Sequence, residues 1–191
     1  MNPRLRIVSV ETLSHRWADL KRYVIDYTRR DGRSERLVRE VHDHGHGAAV
    51  LPYDAARGTV LLVRQFRLPV YLQGGTGDLL EVCAGLLDGD QAAACAAREA
   101  EEELGFRIRN VHEVGVCYMT PGAVTEHLTL FLADYAPDDR IGDGGGVSHE
   151  GEDIEVVEMR FDDAMAMLQA RGITDAKTAL LLLFLERELK V

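Results

Sequence analysis

The sequence predicts an α+β fold, a mixed β-sheet between helices with a β-hairpin extension at the N-terminus. Three observations carry this. Short β-branched and apolar runs bounded by turn residues recur through the first two thirds of the chain. An alanine-rich run from Gln91 to Leu104 has helix-forming composition. Two further helical stretches close the chain, Asp162 to Ala170 and Asp175 to Leu189. Sheet and helices in this order read as layers around one core.

Taken in order, Val24-Ile25-Asp26-Tyr27-Thr28 and Leu37-Val38-Arg39-Glu40-Val41 flank the turn Arg30-Asp31-Gly32 and predict a hairpin. Ala48 to Pro52 and Thr59 to Phe66 predict strands around a turn at Asp54 to Gly58. Leu79 to Cys83 is a short strand leading into the helix, for which Asp90 is the expected N-cap. Val111 to Tyr118, His127 to Ala133 and Ile154 to Phe161 predict further strands. The chain of 191 residues divides as an N-terminal β extension, 1–45, and a main domain, 46–191.

Composition narrows the function. Hydrophobic residues make up 46%, enough for a core. A net charge of −10 without a basic cluster argues against nucleic acid as partner. The N-terminus lacks the apolar stretch of a signal peptide. Ala179 to Leu185 is too short to span a bilayer. The three cysteines, Cys83, Cys95 and Cys117, form no disulfide framework and read as small apolar fillers. A cytoplasmic protein without membrane partners is expected.

The chemistry concentrates between residues 84 and 106. Glu99, Glu102 and Glu103 stand at i, i+3 and i+4, so a regular helix puts three carboxylates on one face. Such a run is by itself a common solvated surface. Its context points elsewhere: Arg98 precedes it, Gly105 stands at a C′ position, and a Gly-Leu-Leu-Asp-Gly-Asp loop leads into it. A divalent cation relieves the repulsion among hard oxygen ligands.

With Gly85 upstream, Arg98-Glu99-Ala100-Glu101-Glu102-Glu103-Leu104-Gly105-Phe106 resembles the Nudix box of the Nudix hydrolase superfamily. The chain departs from that pattern twice. Asp90 stands where the box has its first Glu, and four residues rather than five separate it from Gly85. Arg64-Gln65-Phe66-Arg67, Tyr118 to Glu126, Gly144-Gly145-Gly146-Val147 and Asp175-Ala176-Lys177-Thr178 resemble one branch, the nucleoside-diphosphate-sugar pyrophosphatases, and within it the bacterial GDP-mannose pyrophosphatase group.

The resemblance implies a Nudix fold and hydrolysis of a nucleotide sugar such as GDP-mannose to GMP and mannose 1-phosphate. It implies Mg2+, with Mn2+ as a substitute, and a homodimer that exchanges N-terminal strands. The Ala84 carbonyl, Glu99, Glu103 and Glu152 would hold metal. Glu102 would bind a further metal or orient water, so the catalytic set is Glu102, Glu103 and Glu152. Arg98 would fix a box carboxylate through a bidentate pair. Arg67 would contact phosphate, and Gly85, Leu86, Glu126 and Lys177 would contact substrate. Trp17, Arg39 and Glu40 would reach the nucleotide from the partner chain; the resembling proteins tend to have Tyr at position 17.

Pro137 to Asp153, with five glycines among acidic residues, reads by composition as a solvated loop. The resemblance puts Glu152 of this loop on the metal, with Glu150 in reserve. The general base is Glu152 or Glu102. His42, His44 and His46 alternate but lack a repeating acidic or cysteine ligand, so a metal role for them is not expected. Two competing functions remain: an ADP-ribose pyrophosphatase, and a nucleotide-sugar-binding regulator without turnover.

Overall fold

A computed structural model describes residues 2–147 and 151–190, so Glu150 lies outside the described residues. The chain divides into two compact units, Met1–His46 with Tyr118–His127, and Gly47–Cys117 with Leu128–Val191.

In the first unit, strands β1 (Leu5–His15), β2 (Asp19–Thr28) and β3 (Ser34–Asp43) form an antiparallel sheet in the order β1-β2-β3. The expected hairpin is therefore two strands of three. Its turn is closed by Arg29 N–H to the Arg33 carbonyl (2.7 Å) and by Arg33 N–H to Asp31 Oδ1 (3.1 Å). The end of β3 also takes in the segment Tyr118–His127: His42 N–H donates to Ala123 O (2.8 Å), and Thr125 N–H to His42 O (3.0 Å). No described residue of this unit is buried. Leu5, Ile7, Val10 and Val38 are exposed on its strands.

The second unit holds the core. Its seven-stranded mixed sheet comprises β4 (Gly47–Asp54), β5 (Thr59–Phe66), β6 (Asp78–Glu81), β7 (Cys83–Leu86), β8 (Arg109–Cys117), β9 (Leu128–Asp134) and β10 (Ile154–Arg160). The main path runs β10-β5-β4-β9-β8, with β4 parallel to β9 and the other pairs antiparallel. β4 and β5 pair only beside their turn, at Tyr53↔Val60 and Asp54↔Thr59. Beyond it they part, and β6 pairs with β5 while β7 pairs with β4. The single strand expected over Leu79 to Cys83 is thus two, switching partners at Val82. The switch carries Ala84 and Gly85 under the box helix.

That helix, α2 (Ala92–Glu99), buries Cys95 and Ala96 in a cluster with Ala48, Val50, Leu61, Val63, Phe131 and Ile154. Side chains alternate along strands, so Ala49 and Leu51 face away from this cluster. α4 (Ala176–Leu189) packs on β4 and β9, burying Leu181, Leu182 and Leu185. α3 (Phe161–Gln169) packs on β10. A short α1 (Leu68–Tyr71), unforeseen in the sequence, follows β5. No helix among the described residues is long and apolar enough to cross a membrane.

Candidate active site

The box helix does not continue as a regular helix through its glutamates. After Glu99 it widens into a π-helical turn, Ala100–Leu104. Gly105 ends it in the left-handed conformation (φ 75°) with its N–H on the Ala100 carbonyl. A wider turn changes which residues share a face, and such turns are frequent at functional sites. Glu99 and Glu103 point inward, only 7% and 2% exposed. Glu102 stays half-exposed beside them, its Oε2 3.0 Å and Glu99 Oε1 2.8 Å from the same Arg98 Nη1.

Two neighbours shape the buried pair. Glu103 Oε2 accepts from Ala84 N–H on β7 (3.2 Å), and the Cys83 thiol lies beside the same carboxyl. Burial pushes the Glu103 carboxyl up to about 8, and the charges of Glu99 and Glu152 add to that; the Cys83 and Ala84 contacts oppose it. Burial likewise raises Glu99, against the pull of Arg98. Gly85 lets the strand approach, since a Cβ there would stand 1.9 Å from Glu99 Oε1.

Arg98 serves several acceptors rather than one carboxylate. Its Nη1 donates to Glu99 Oε1 (2.8 Å) and Glu102 Oε2 (3.0 Å), its Nη2 to the Leu86 carbonyl (3.2 Å), and its Nε lies 3.4 Å from Asp90 Oδ2. The bidentate pair expected for it is absent. Asp90 is also not the helix cap: Gln91 occupies that position, without a side-chain cap bond, and Asp90 is spent on Arg98.

The glycine-rich loop docks against the π turn. Gly145 and Gly146 N–H donate to the carbonyls of Glu103 (2.9 Å) and Glu102 (3.1 Å). The part that composition presents as a free connector therefore satisfies carbonyls the helix leaves open. Glu152 Oε2 accepts from Val147 N–H (2.8 Å), and its charge acts on both Glu99 and Glu103.

A second polar group borders this cluster. Buried Glu81 takes the fork of Arg67, Nε to Oε1 (2.7 Å) and Nη2 to Oε2 (3.1 Å), and also pairs with Lys177. Lys177 bonds Asp175 Oδ1 (3.0 Å) as well. Asp175 caps α4 through Thr178 N–H (2.9 Å), and Thr178 Oγ1 accepts from Val82 N–H (2.8 Å) at the strand switch. The Arg67 charge also interacts with that of Glu103. Glu81, Asp175 and Thr178 were not foreseen as site residues. Their signals were present: a lone charge in the apolar run Leu79 to Cys83, and an Asp three residues before a Thr where a helix begins.

Glu99, Glu103 and Glu152 are thus brought together with Ala84, Gly85 and Leu86, beside Glu102 and close to Arg67. Lys177 is largely buried behind Arg67's partner. Trp17, Arg39, Glu40 and Glu126 belong to the first unit: Trp17, Arg39 and Glu40 are exposed, and Glu126 is partly buried near His44.

Family models match both parts of this chain. One described as the GDP-mannose pyrophosphatase NudK N-terminal domain matches residues 4–42, and the NUDIX domain model matches residues 43–181. The chain belongs to the Nudix family. The GDP-mannose pyrophosphatase of Yersinia pestis (strain Pestoides F) is 45% identical over 183 residues, 95% of this chain and 91% of that protein. That of Pectobacterium atrosepticum is 46% identical over 95% of this chain and 94% of its own. That of Escherichia coli O1:K1 / APEC is 42% identical over 97% of each. A crystal structure of an ADP compounds hydrolase shares the fold, with a TM-score of 0.75 over 98% of this chain and 95% of that chain, at 19% identity.

The Nudix assignment makes the chain a hydrolase of pyrophosphate bonds from a family that generally uses divalent cations. The donor set suits a hard cation: oxygen ligands only, two of them nearly buried, with burial and the charges of Glu99 and Glu152 raising the Glu103 carboxyl. Among the described residues no three ligand-type side chains converge as closely as around an ion. Arg98 Nη1 bridges Glu99 and Glu102, and the Val147 amide holds Glu152.

Proposed function

We propose that the protein is a magnesium-dependent pyrophosphatase of nucleoside-diphosphate sugars, with GDP-mannose as substrate and GMP and mannose 1-phosphate as products. The observation that carries this is the buried pair of Glu99, at the end of α2, and Glu103, on the π turn, facing β7 and beside the charge of Glu152. The names of the 42–46% identical relatives support the sugar nucleotide.

In this reading Ala84, through its carbonyl, with Glu99, Glu103 and Glu152, holds Mg2+ or Mn2+. The bound cation neutralises diphosphate charge and lowers the pKa of attacking water. Glu152 accepts one hydrogen bond through Oε2 among the described residues, so Oε1 is open to take a proton from water. Glu102 is already occupied by Arg98, which favours Glu152 as the base. Arg67 spends Nε and Nη2 on Glu81, leaving Nη1 for a phosphate oxygen. Lys177 and Glu126 contact substrate, with Gly85 and Leu86 lining the site.

The reading includes a homodimer. Residues 1–45 act as the dimerisation extension of a 46–191 catalytic domain and bring Trp17, Arg39 and Glu40 to the nucleotide bound by the other protomer. The sheet's exposed Leu5, Ile7, Val10 and Val38, in a unit with no buried residue among those described, support it. A cytoplasmic setting agrees with three free cysteines.

The test is product chromatography on EDTA-stripped protein given GDP-mannose, GDP-glucose, ADP-ribose or UDP-glucose, with and without added magnesium. GMP and mannose 1-phosphate should appear from GDP-mannose only with the metal. Faster cleavage of ADP-ribose would transfer the assignment to that substrate. Absence of cleavage for all four would leave a non-catalytic regulator.

A further inference from the structure

Glu81 joins two of the proposed substrate contacts, Arg67 and Lys177, and the hydrolysis described above gives it no role. It is the last residue of β6, opposite Val63 on β5. The stretch around it, Leu79-Leu80-Glu81-Val82-Cys83, is otherwise apolar, and its own side chain is 2% exposed. A buried ion pair is seldom worth more than apolar residues of the same size, so stability alone does not account for a glutamate here.

One carboxylate spans both cations. Its Oε1 accepts from Arg67 Nε (2.7 Å), and its Oε2 accepts from Arg67 Nη2 (3.1 Å) and from Lys177. Lys177 donates a second bond to Asp175 Oδ1 (3.0 Å). A ring of contacts then returns to the backbone beside Glu81. Asp175 Oδ2 accepts from the Thr178 N–H (2.9 Å) and hydroxyl (2.6 Å), and Thr178 Oγ1 accepts from the N–H of Val82 (2.8 Å). All of these residues belong to one compact unit.

Donors are left over on both cations. An ammonium carries three N–H groups and a guanidinium five. Among the described residues, Glu81 and Asp175 take two from Lys177, and Glu81 takes two from Arg67, so Arg67 Nη1 and one Lys177 N–H stay free. Without a carboxylate between them the two cations would repel. Two positive and two negative charges balance here before any anion arrives.

We propose that Glu81 is a positioning residue that locks Arg67 and Lys177 into a preformed clamp for the diphosphate, whose oxygens meet the free N–H groups of both. This rests on the pyrophosphatase reading and deepens it. Long cationic side chains already held in one geometry lose little further freedom when the anion binds.

The probe is imidodiphosphate with magnesium, a diphosphate with a P–N–P bridge and neither base nor sugar. Its binding to the full-length protein is measured by calorimetry, beside the kinetics of GDP-mannose cleavage. Glu81→Asp keeps the negative charge but is one methylene shorter, so it no longer spans both cations. Glu81→Gln keeps the length and loses the charge. Each should weaken the probe by about tenfold or more and raise KM by a similar factor with kcat much less affected, because the clamp holds ground state and transition state alike. A merely structural role moves other numbers: a partly folded sample loses kcat at unchanged KM, and melting curves report it. Because Glu81 acts through the cations, Glu81→Asp should cost far less probe affinity in an Arg67→Ala background than in the unmodified protein. The proposal is overturned if the unmodified protein does not bind imidodiphosphate, if Glu81→Asp binds it normally, if the cost is equal in both backgrounds, or if both variants lose kcat alone. Glu81-dependent binding of imidodiphosphate without GDP-mannose hydrolysis would remove the nucleotide-sugar reading and leave the clamp standing.

Discussion

The box region and the N-terminal sheet solve opposite problems. Around β7 and the π turn, carboxylates that water would gladly solvate are buried, at 2% and 7% exposure, in the unit that holds the whole core. In the three-stranded sheet, apolar side chains that a core would gladly take are exposed, and no described residue is buried. In the proposed reading a cation answers the first and a covering surface the second. Burial of charge marks the reacting centre, and exposure of apolar surface marks an assembly or binding face.

The largest effect expected is at the buried end of the contrast. Glu103→Gln keeps the shape and removes the charge, so turnover should fall by about 10²-fold or more while the fold is retained. Turnover near that of the unmodified protein at saturating magnesium would remove Glu103 from the metal set. Gly85→Ala comes next. The added methyl would meet the Glu99 carboxylate at 1.9 Å from backbone that β4 holds in place, so Glu99 must move. Metal affinity by calorimetry should drop roughly 10- to 100-fold.

The same burial predicts a dependence on pH. In the folded, metal-free protein Glu103 keeps its proton up to about pH 8, against about 4.5 for an ordinary glutamate. Between those values the folded chain binds more protons than the unfolded one, so this residue makes stability fall as pH rises. The melting temperature in EDTA should be lower at pH 8.5 than at pH 5.5. Magnesium should narrow the difference, and Glu103→Gln should show less of it. An equal pH response in both proteins would show that Glu103 titrates like an exposed acid. Asp90→Asn, cutting a half-exposed contact to Arg98, should cost only about 0.2–1 kcal/mol and change turnover little. A large loss would mean that Asp90 does more than tether Arg98.

What could be read from the sequence follows the same division. The box, its helix and the strands of the second unit were legible because burial imposes periodicity and the spacing of Arg98, Glu99, Glu102 and Glu103 is specific. The π turn was not, because a regular helix and a widened one have the same composition, and the backbone bonds that distinguish them leave no mark in the sequence. β1 was not singled out because a sheet without a buried face leaves no clean alternation. Glu81 was passed over because its partners, Arg67 and Lys177, are remote in sequence. The cysteines were read as fillers, and Cys83 and Cys95 are buried while Cys117 is partly exposed; the position of Cys83 beside Glu103 needed the fold.

The two regions complete one another only if the sheet of one protomer serves the catalytic unit of the other, and subunit mixing tests this directly. Trp17→Ala/Arg39→Ala carries lesions only in the sheet, and Glu103→Gln only in the catalytic unit. Each should be severely impaired by itself. Refolded together from denaturant, they should regain activity toward about one site in four, because half of randomly paired dimers are mixed and each mixed dimer has one site free of both lesions. Activity no greater than the sum of the two parents would contradict the account, as would full activity in the sheet variant by itself.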